Sequence, residues 1–471
     1  MLFNTIEFVF FLPVVVILYY LLPVKFRWIM LLAASYIFYM AWKVEYIFLI
    51  AFSTMIDYFS GIMMEKQTEK KSRRPYLILS LLTNLGLLFS FKYFNFTSSN
   101  LNSLIHFMGL NKDIPLMNFL LPVGISFYTF QTLSYSIDVY YGRQKAEKHL
   151  GYFALYVAFF PQLVAGPIER FSRLTPQLKM RHDFTYENLA NGLRLILYGL
   201  FIKMVIADNL SAVVDKIYAD PSQYSSIDII KGVGLYSFQI YSDFYGYSII
   251  AIGSALIMGI HIMDNFRTPY LAKNISEFWQ RWHISLSTWF RDYLYYPLGG
   301  NRVVRQRWMI NILIVFVVSG IWHGANWNFL IWGALYGIIY LIEKLINDSF
   351  KLEKKHKPYS FGHLALAAKT FIFVTIIWVF FRSQSFTEAI AVFKFILTNG
   401  NTATETLNLP ISTLIFLAIF IISDVILYNY RFDKWSGNLP FVIRWSVYSV
   451  LIFAIIVFAG VDNFPFIYFQ F

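Results

Sequence analysis

Long stretches without a charged side chain dominate this chain. Phe8–Val24, Trp28–Trp42, Pro75–Phe91, Ile114–Ile137 and Leu150–Ile168 lack Asp, Glu, Lys and Arg altogether. Tyr46–Met64 is interrupted only by Asp57, and Gly232–Met263 only by Asp243. Leu193–Ile206 is shorter and carries Arg194 and Lys203, while Thr370–Phe381, Thr406–Ser423 and Trp445–Val461 complete the series. A helix needs about 20 apolar residues to span a bilayer. The pattern therefore predicts an all-α, polytopic chain of about eleven or twelve membrane-embedded helices, some of them re-entrant.

Trp308–Ile342 is the longest such run, 35 residues without one charge. As a single helix it would extend about 52 Å at 1.5 Å per residue, against a hydrocarbon core of ~30 Å. A break is expected, and Ser319-Gly320 and Gly324-Ala325-Asn326 offer it on either side of His323. An ionisable ring at mid-membrane is costly and points to a functional, solvent- or substrate-filled pocket. Trp322, Asn326 and Trp327 stand beside it.

Two further segments are polar within apolar surroundings. Pro161–Arg170 is not expected to form one helix, because Pro167 has no N–H and disfavours helix in the residue before it. It is either a plain loop or a re-entrant turn lining a cavity. Glu277–Asp292 is dense in charge and aromatics and fits an interfacial amphipathic helix. There Glu277 and Arg281 are spaced i, i+4, as are His283 and Ser287, so each pair would share a face. Asp243, among aromatics in Gln239–Tyr247, needs a partner to be tolerated in lipid.

Composition agrees. Charged residues make up 14% of the chain and hydrophobic ones 58%, where a soluble domain has about 25% charged. Aromatics reach 20%, with 33 Tyr that suit membrane interfaces. The net charge of +12 does not point to nucleic acid, because the basic residues lie in short linkers between apolar runs. Lys25 and Arg27, then Lys66, Lys70, Lys71, Arg73 and Arg74, then Arg143, Lys145 and Lys148, all fall on one side if the N-terminus is outside. The first apolar run follows Glu7 rather than a basic segment and reads as a retained span. Cysteine is absent, which excludes disulfides, thiolate metal sites and a cysteine acyl-enzyme. Apart from the basic linker at 65–74 and the polar loop at 346–363 nothing marks a domain boundary, so residues 1–471 read as one membrane domain with core motifs at about 115–345.

The histidines narrow the chemistry. Neutral imidazole is a general base that can take a proton from an attacking hydroxyl. His283 and His323 offer two metal ligands, but no third at ligand spacing, so no metal site is expected. No phosphate loop and no nucleophile elbow appears.

At these residues the chain resembles the membrane-bound O-acyltransferase family. The segments Met1–Phe8, Pro161–Arg170, Gln239–Gly246, Glu277–Asp292 and Ile321–Trp327 carry the likeness, in order and over nearly the whole length. They are most similar to the bacterial branch that O-acetylates cell-surface polysaccharides. The resemblance implies a helical bundle around a tunnel, in the cytoplasmic (inner) membrane. It implies His323 as the family's signature histidine and His283 as its second polar position, both catalytic. Asn326, Trp322, Ser287, Asp243 and Glu169 are the expected substrate-binding residues. It further implies acetyl-CoA as cytoplasmic donor with no bound cofactor, and a hydrolase-fold (SGNH-type) acetyltransferase partner outside the cytoplasm, besides membrane lipids. D-alanyl transfer onto teichoic acid and a transporter or flippase without chemistry are the alternatives.

Overall fold

The computed structural model describes residues 1–471 except 119, 165, 351–356, 402–403, 460–465 and 468–471. Among the described residues the chain is helical with no strand. Eight helical stretches among the described residues are long and apolar enough to cross a bilayer, including Val44–Lys66, Ser226–Ile257, Trp327–Phe350 and Phe361–Arg382. Phe10, Leu82, Ile372, Val442 and Ile456 stay exposed on their helices, as lipid permits and water does not. This is a multi-pass membrane protein.

The helices form two compact units. The first comprises Met1–Ala190 and Ser254–Met263, and the second Asn191–Gly253 and Asp264–Phe471. In the first unit, α1 (Ile6–Leu21), α2 (Val24–Met40), α3 (Ile47–Lys66), α4 (Lys70–Leu88), α5 (Phe94–Phe107) and α6 (Ile125–Tyr140) are followed by the short α7 (Leu150–Ala158), α8 (Phe160–Leu163) and α9 (Phe171–Lys179). Asp57, fully buried on α3, is held by Ser80 Oγ at 2.5 Å and by Asn84 Nδ2 at 2.9 Å from α4. The charge that interrupts this span is thus bonded inside the unit rather than left in lipid.

The Pro161–Arg170 segment is not one helix. It stops after Leu163 and continues as buried, non-helical backbone up to α9; Ala165 lies outside the described residues.

In the second unit α10 (Tyr186–Leu200, entering the unit at Asn191) passes through a π-helical turn at Phe201–Ala207 into α11 (Asp208–Ala219), and α12 (Ser226–Ile257, leaving the unit after Gly253) follows. Next come α13 (Ile275–Arg281) and α14 (Ile284–Phe290), then α15 (Arg305–His323) and α16 (Trp327–Phe350). The unit is completed by α17 (Phe361–Arg382), α18 (Phe386–Thr398), α19 (Ile411–Ile426), α20 (Phe432–Gly437) and α21 (Phe441–Phe458).

The long uncharged run breaks at Gly324–Asn326, making α15 and α16 an antiparallel hairpin with His323 as the last helical residue. Ser319-Gly320, the other expected break, remains inside α15 for a packing reason. A Cβ at Gly320 would lie 2.1 Å from Phe329 O, and one at Gly333 would lie 2.3 Å from Phe316 O. Lipid provides no hydrophobic drive for helix pairing, so close backbone approach at small residues supplies the contact.

Candidate active site

His323 and His283 both lie in the second unit, buried to 3% and 0% exposure. α15 delivers His323 into a cage of aromatic rings, with Trp332 centred 4.9 Å away, Phe381 5.2 Å and Trp322 4.9 Å. Trp322 is also 6.0 Å from His283. The Trp322 indole therefore packs against both imidazoles. The loop after His323 is fastened to the end of α17: Asn326 Nδ2 donates to Gln384 O at 2.5 Å and Asn328 Nδ2 to Ser383 O at 2.8 Å.

His283 is reached differently from the expected continuous helix. The Glu277–Asp292 segment is two short helices with a sharp corner at Trp282-His283, and His283 sits there with φ 43° and ψ 53°. This left-handed conformation costs a non-glycine residue about 1–3 kcal/mol and persists only where surrounding contacts enforce it. Those contacts come from Asn265. Its carbonyl accepts from Ile284 N at 2.9 Å, and its Oδ1 accepts from Ser285 Oγ at 2.7 Å and Ser285 N at 3.2 Å. Asn265 Oδ1 also stands 3.2 Å from His283 Nδ1. An amide oxygen only accepts, so Nδ1 carries the proton and Nε2 is the basic nitrogen. Burial pushes the His283 pKa down to about 3, and the ring is neutral at physiological pH. Phe244 of α12 packs against it at 4.7 Å with the planes 89° apart.

The i, i+4 pair of Glu277 and Arg281 forms as expected, at 3.0 Å. Ser287 is half-buried, one turn into α14, and its Oγ donates to Trp282 O at 3.3 Å. Asp243 is buried on α12 and faces Lys203, whose Nζ is 2.6 Å from its Oδ1 and 2.6 Å from Asp208 Oδ1. Glu169 belongs to the first unit. It is fully buried, accepts from Met263 N, and lies 3.8 Å from Arg173 Nε. Burial raises its carboxyl to about 6.

Asn265 is the residue that the sequence pattern does not flag. The loop Asp264–Thr268 has no periodicity to assign it a face, and the contact depends on how α12 and α13 pack.

Asn265 also lines a cavity of about 540 Å³, together with Arg267, Glu277, Arg281, Tyr428 and Arg431 among others. Arg281 is fixed there by Glu277 and by the Tyr428 hydroxyl at 2.8 Å, and Arg431 by Asp433 at 2.7 Å. Both histidines are thus buried against Trp322, and Asn265, which contacts His283, also lines the polar cavity.

Comparison with known proteins identifies the class. Residues 148–384 match the model of the MBOAT, membrane-bound O-acyltransferase family. The chain belongs to that family and is an acyltransferase. Among its relatives, the probable alginate O-acetylase AlgI of Azotobacter vinelandii is 37% identical over 93% of this chain and 86% of its own length. The peptidoglycan O-acetyltransferase of Helicobacter pylori is 35% identical over 84% of this chain and 79% of its own. A teichoic acid D-alanyltransferase of Streptococcus thermophilus is 32% identical but covers 52% of this chain and 60% of itself.

Proposed function

We propose that this chain takes an acetyl group from acetyl-CoA on the cytoplasmic side of the inner membrane and passes it outward for O-acetylation of a cell-surface polysaccharide. The observation that carries the reading is the pair of buried histidines that both pack on Trp322, with Asn265 joining His283 to the polar cavity. The branch follows from the relatives named for alginate and peptidoglycan, which align over most of the chain, whereas the D-alanyltransferase aligns over about half.

Charge supports the direction. Arg302, Arg305 and Arg307 precede or open α15, and Lys351, Lys354, Lys355 and Lys357 follow α16. Basic residues favour the cytoplasm, which turns the closed end of the hairpin, with His323, toward the outside. Glu343 near the far end of α16 accepts from Ile275 N at 2.8 Å, so α13 and the cavity it lines lie at the cytoplasmic end. Arginines in that cavity suit the phosphates of a CoA thioester.

In the reaction, the hydroxyl oxygen of a sugar or of a serine on a hydrolase-fold partner attacks the thioester carbonyl carbon. His323 accepts the hydroxyl proton. The indole N–H of Trp322 and the amide hydrogen of Asn326 not given to Gln384 are candidate donors for the oxyanion. Collapse breaks the C–S bond, the proton passes to the CoA sulfur, and the ester is complete. With its Nδ1–H committed to Asn265, His283 stays neutral and presents Nε2 as a hydrogen-bond acceptor on the donor side.

The test is His323→Ala, with surface acetyl ester measured beside membrane protein level. Acetyl is expected to vanish at normal protein level; unchanged acetylation would remove His323 from the chemistry. Supplying purified protein with acetyl-CoA or with a D-alanyl carrier-protein thioester separates the two donor readings.

A further inference from the structure

Asp243 and Phe244 are neighbours on α12 and Tyr247 follows one turn later, and a distant part of the chain is seated on all three. Ile467 N donates to Asp243 Oδ2 at 2.7 Å. Phe466, fully buried, packs on Tyr247 at 4.6 Å and on Phe244 at 5.5 Å. Phe244 is the ring that stands perpendicular to the His283 imidazole at 4.7 Å. The other oxygen of Asp243 is fixed by Lys203 at 2.6 Å, so the acceptor for Ile467 is itself immobile. Ile467 is 4% exposed, and its backbone bond is therefore made away from water, where losing it is costly.

These contacts form one chain of support. The Lys203–Asp243 pair holds the Ile467 amide, which places Phe466, which backs Phe244, which limits the tilt of His283. Asn265 fixes the same imidazole in its own plane through Nδ1. Hydrogen bonding alone leaves a ring free to rock about that bond, and a perpendicular aromatic wall removes the rocking. We propose that Phe466 and Ile467 are positioning residues for His283, acting through Phe244. The inference rests on the reading that His283 takes part in acyl transfer.

The experiment uses the full chain in liposomes with acetyl-CoA and measures thiol release, with surface acetyl ester in cells as a second readout. Phe466→Ala is expected to lower kcat about tenfold, as small misplacements of a reacting group do, while KM for acetyl-CoA stays within about twofold. Phe466→Tyr, which keeps the flat ring, should restore most of the rate. Ile467→Pro, which deletes the N–H that Asp243 accepts and also restricts the Phe466 backbone, should reproduce the Phe466→Ala loss, and Ile467→Val should not.

Unchanged kcat in both Phe466→Ala and Ile467→Pro, with His283→Ala impaired, would overturn the proposal and leave the reading of the site intact. A fall in KM affinity with normal kcat would also overturn it. An unimpaired His283→Ala would instead defeat the underlying reading. Should Phe466→Ala fail to accumulate, Phe466→Leu, which keeps volume but not the flat wall, carries the same comparison. If the wild type releases no thiol from acetyl-CoA, the donor assignment fails and the variants are compared by surface acetyl ester.

Discussion

The Nδ1 atom of His283 lies 3.2 Å from Oδ1 of Asn265, and this contact decides what His283 can do. It sets the tautomer, and the same oxygen anchors the start of α14 through Ser285. Asn265→Ala removes one acceptor from three buried donors. Leaving a buried donor unpaired costs about 1–3 kcal/mol, so acetyl transfer should fall about tenfold to a hundredfold. Asn265→Asp keeps the acceptor and should retain more activity than Asn265→Ala. Thiol release from acetyl-CoA by the purified variants measures both; equal rates in Asn265→Ala and wild type would show that the tautomer does not matter.

Burial of the same imidazole makes stability depend on pH. The folded chain protonates His283 only near pH 3, well below the ordinary value of about 6.5. The unfolded chain therefore binds more protons between these limits, and acid favours unfolding. This contribution is complete above about pH 6.5 and shrinks as the pH falls toward 3. Between pH 7.5 and 5.0 it amounts to about 2 kcal/mol. The wild type should lose more thermal stability over that interval than His283→Gln in the same detergent. Identical losses would mean that His283 is not held neutral.

How much of this was legible depends on the kind of contact. The break around His323 could be read because a 35-residue uncharged helix does not fit a bilayer and the glycines stand in sequence beside the histidine. The Glu277–Arg281 pair could be read because helical spacing alone puts the two side chains together. The left-handed turn at His283 could not, since nothing in Arg281-Trp282-His283-Ile284 signals a break, and Asn265 enforces it from another segment. Asp243 showed as a buried charge requiring a partner. Which partner was hidden, because Lys203 lies 40 residues earlier in a π-helical turn that rotates it inward.

Close packing of the hairpin gives a sharper stability test. A methyl group at Gly320 would meet the backbone carbonyl of Phe329 at 2.1 Å, and backbone cannot swing aside as a side chain can. Gly320→Ala should separate α15 from α16, displace His323 and reduce both membrane level and acetylation. Gly234 on α12 has open space where a Cβ would go, so Gly234→Ala should be neutral or slightly stabilising by helix propensity. Thermal stability in detergent compares them; equal behaviour would contradict the packing of the hairpin.

The ion cluster of Lys203, Asp208 and Asp243 sits inside the second unit, with Lys203 1% exposed and placed 5.5 Å over the Tyr247 ring. Removing one member of a buried ion pair leaves an uncompensated charge and costs about 3–5 kcal/mol, whereas replacing all the charges together is often near neutral. Lys203→Met alone strands two carboxylates beside one another and should nearly abolish the folded protein in the membrane. Combining Lys203→Met with Asp208→Asn and Asp243→Asn removes every charge. The amide oxygen placed at position 243 can still accept from Ile467 N, so the support of His283 is retained. The triple variant should therefore recover membrane level, thermal stability and a substantial part of the transfer rate. Recovery of level without any recovery of rate would mean that the charges themselves serve the reaction, and a stable Lys203→Met would mean that the three groups do not form a closed cluster in the membrane.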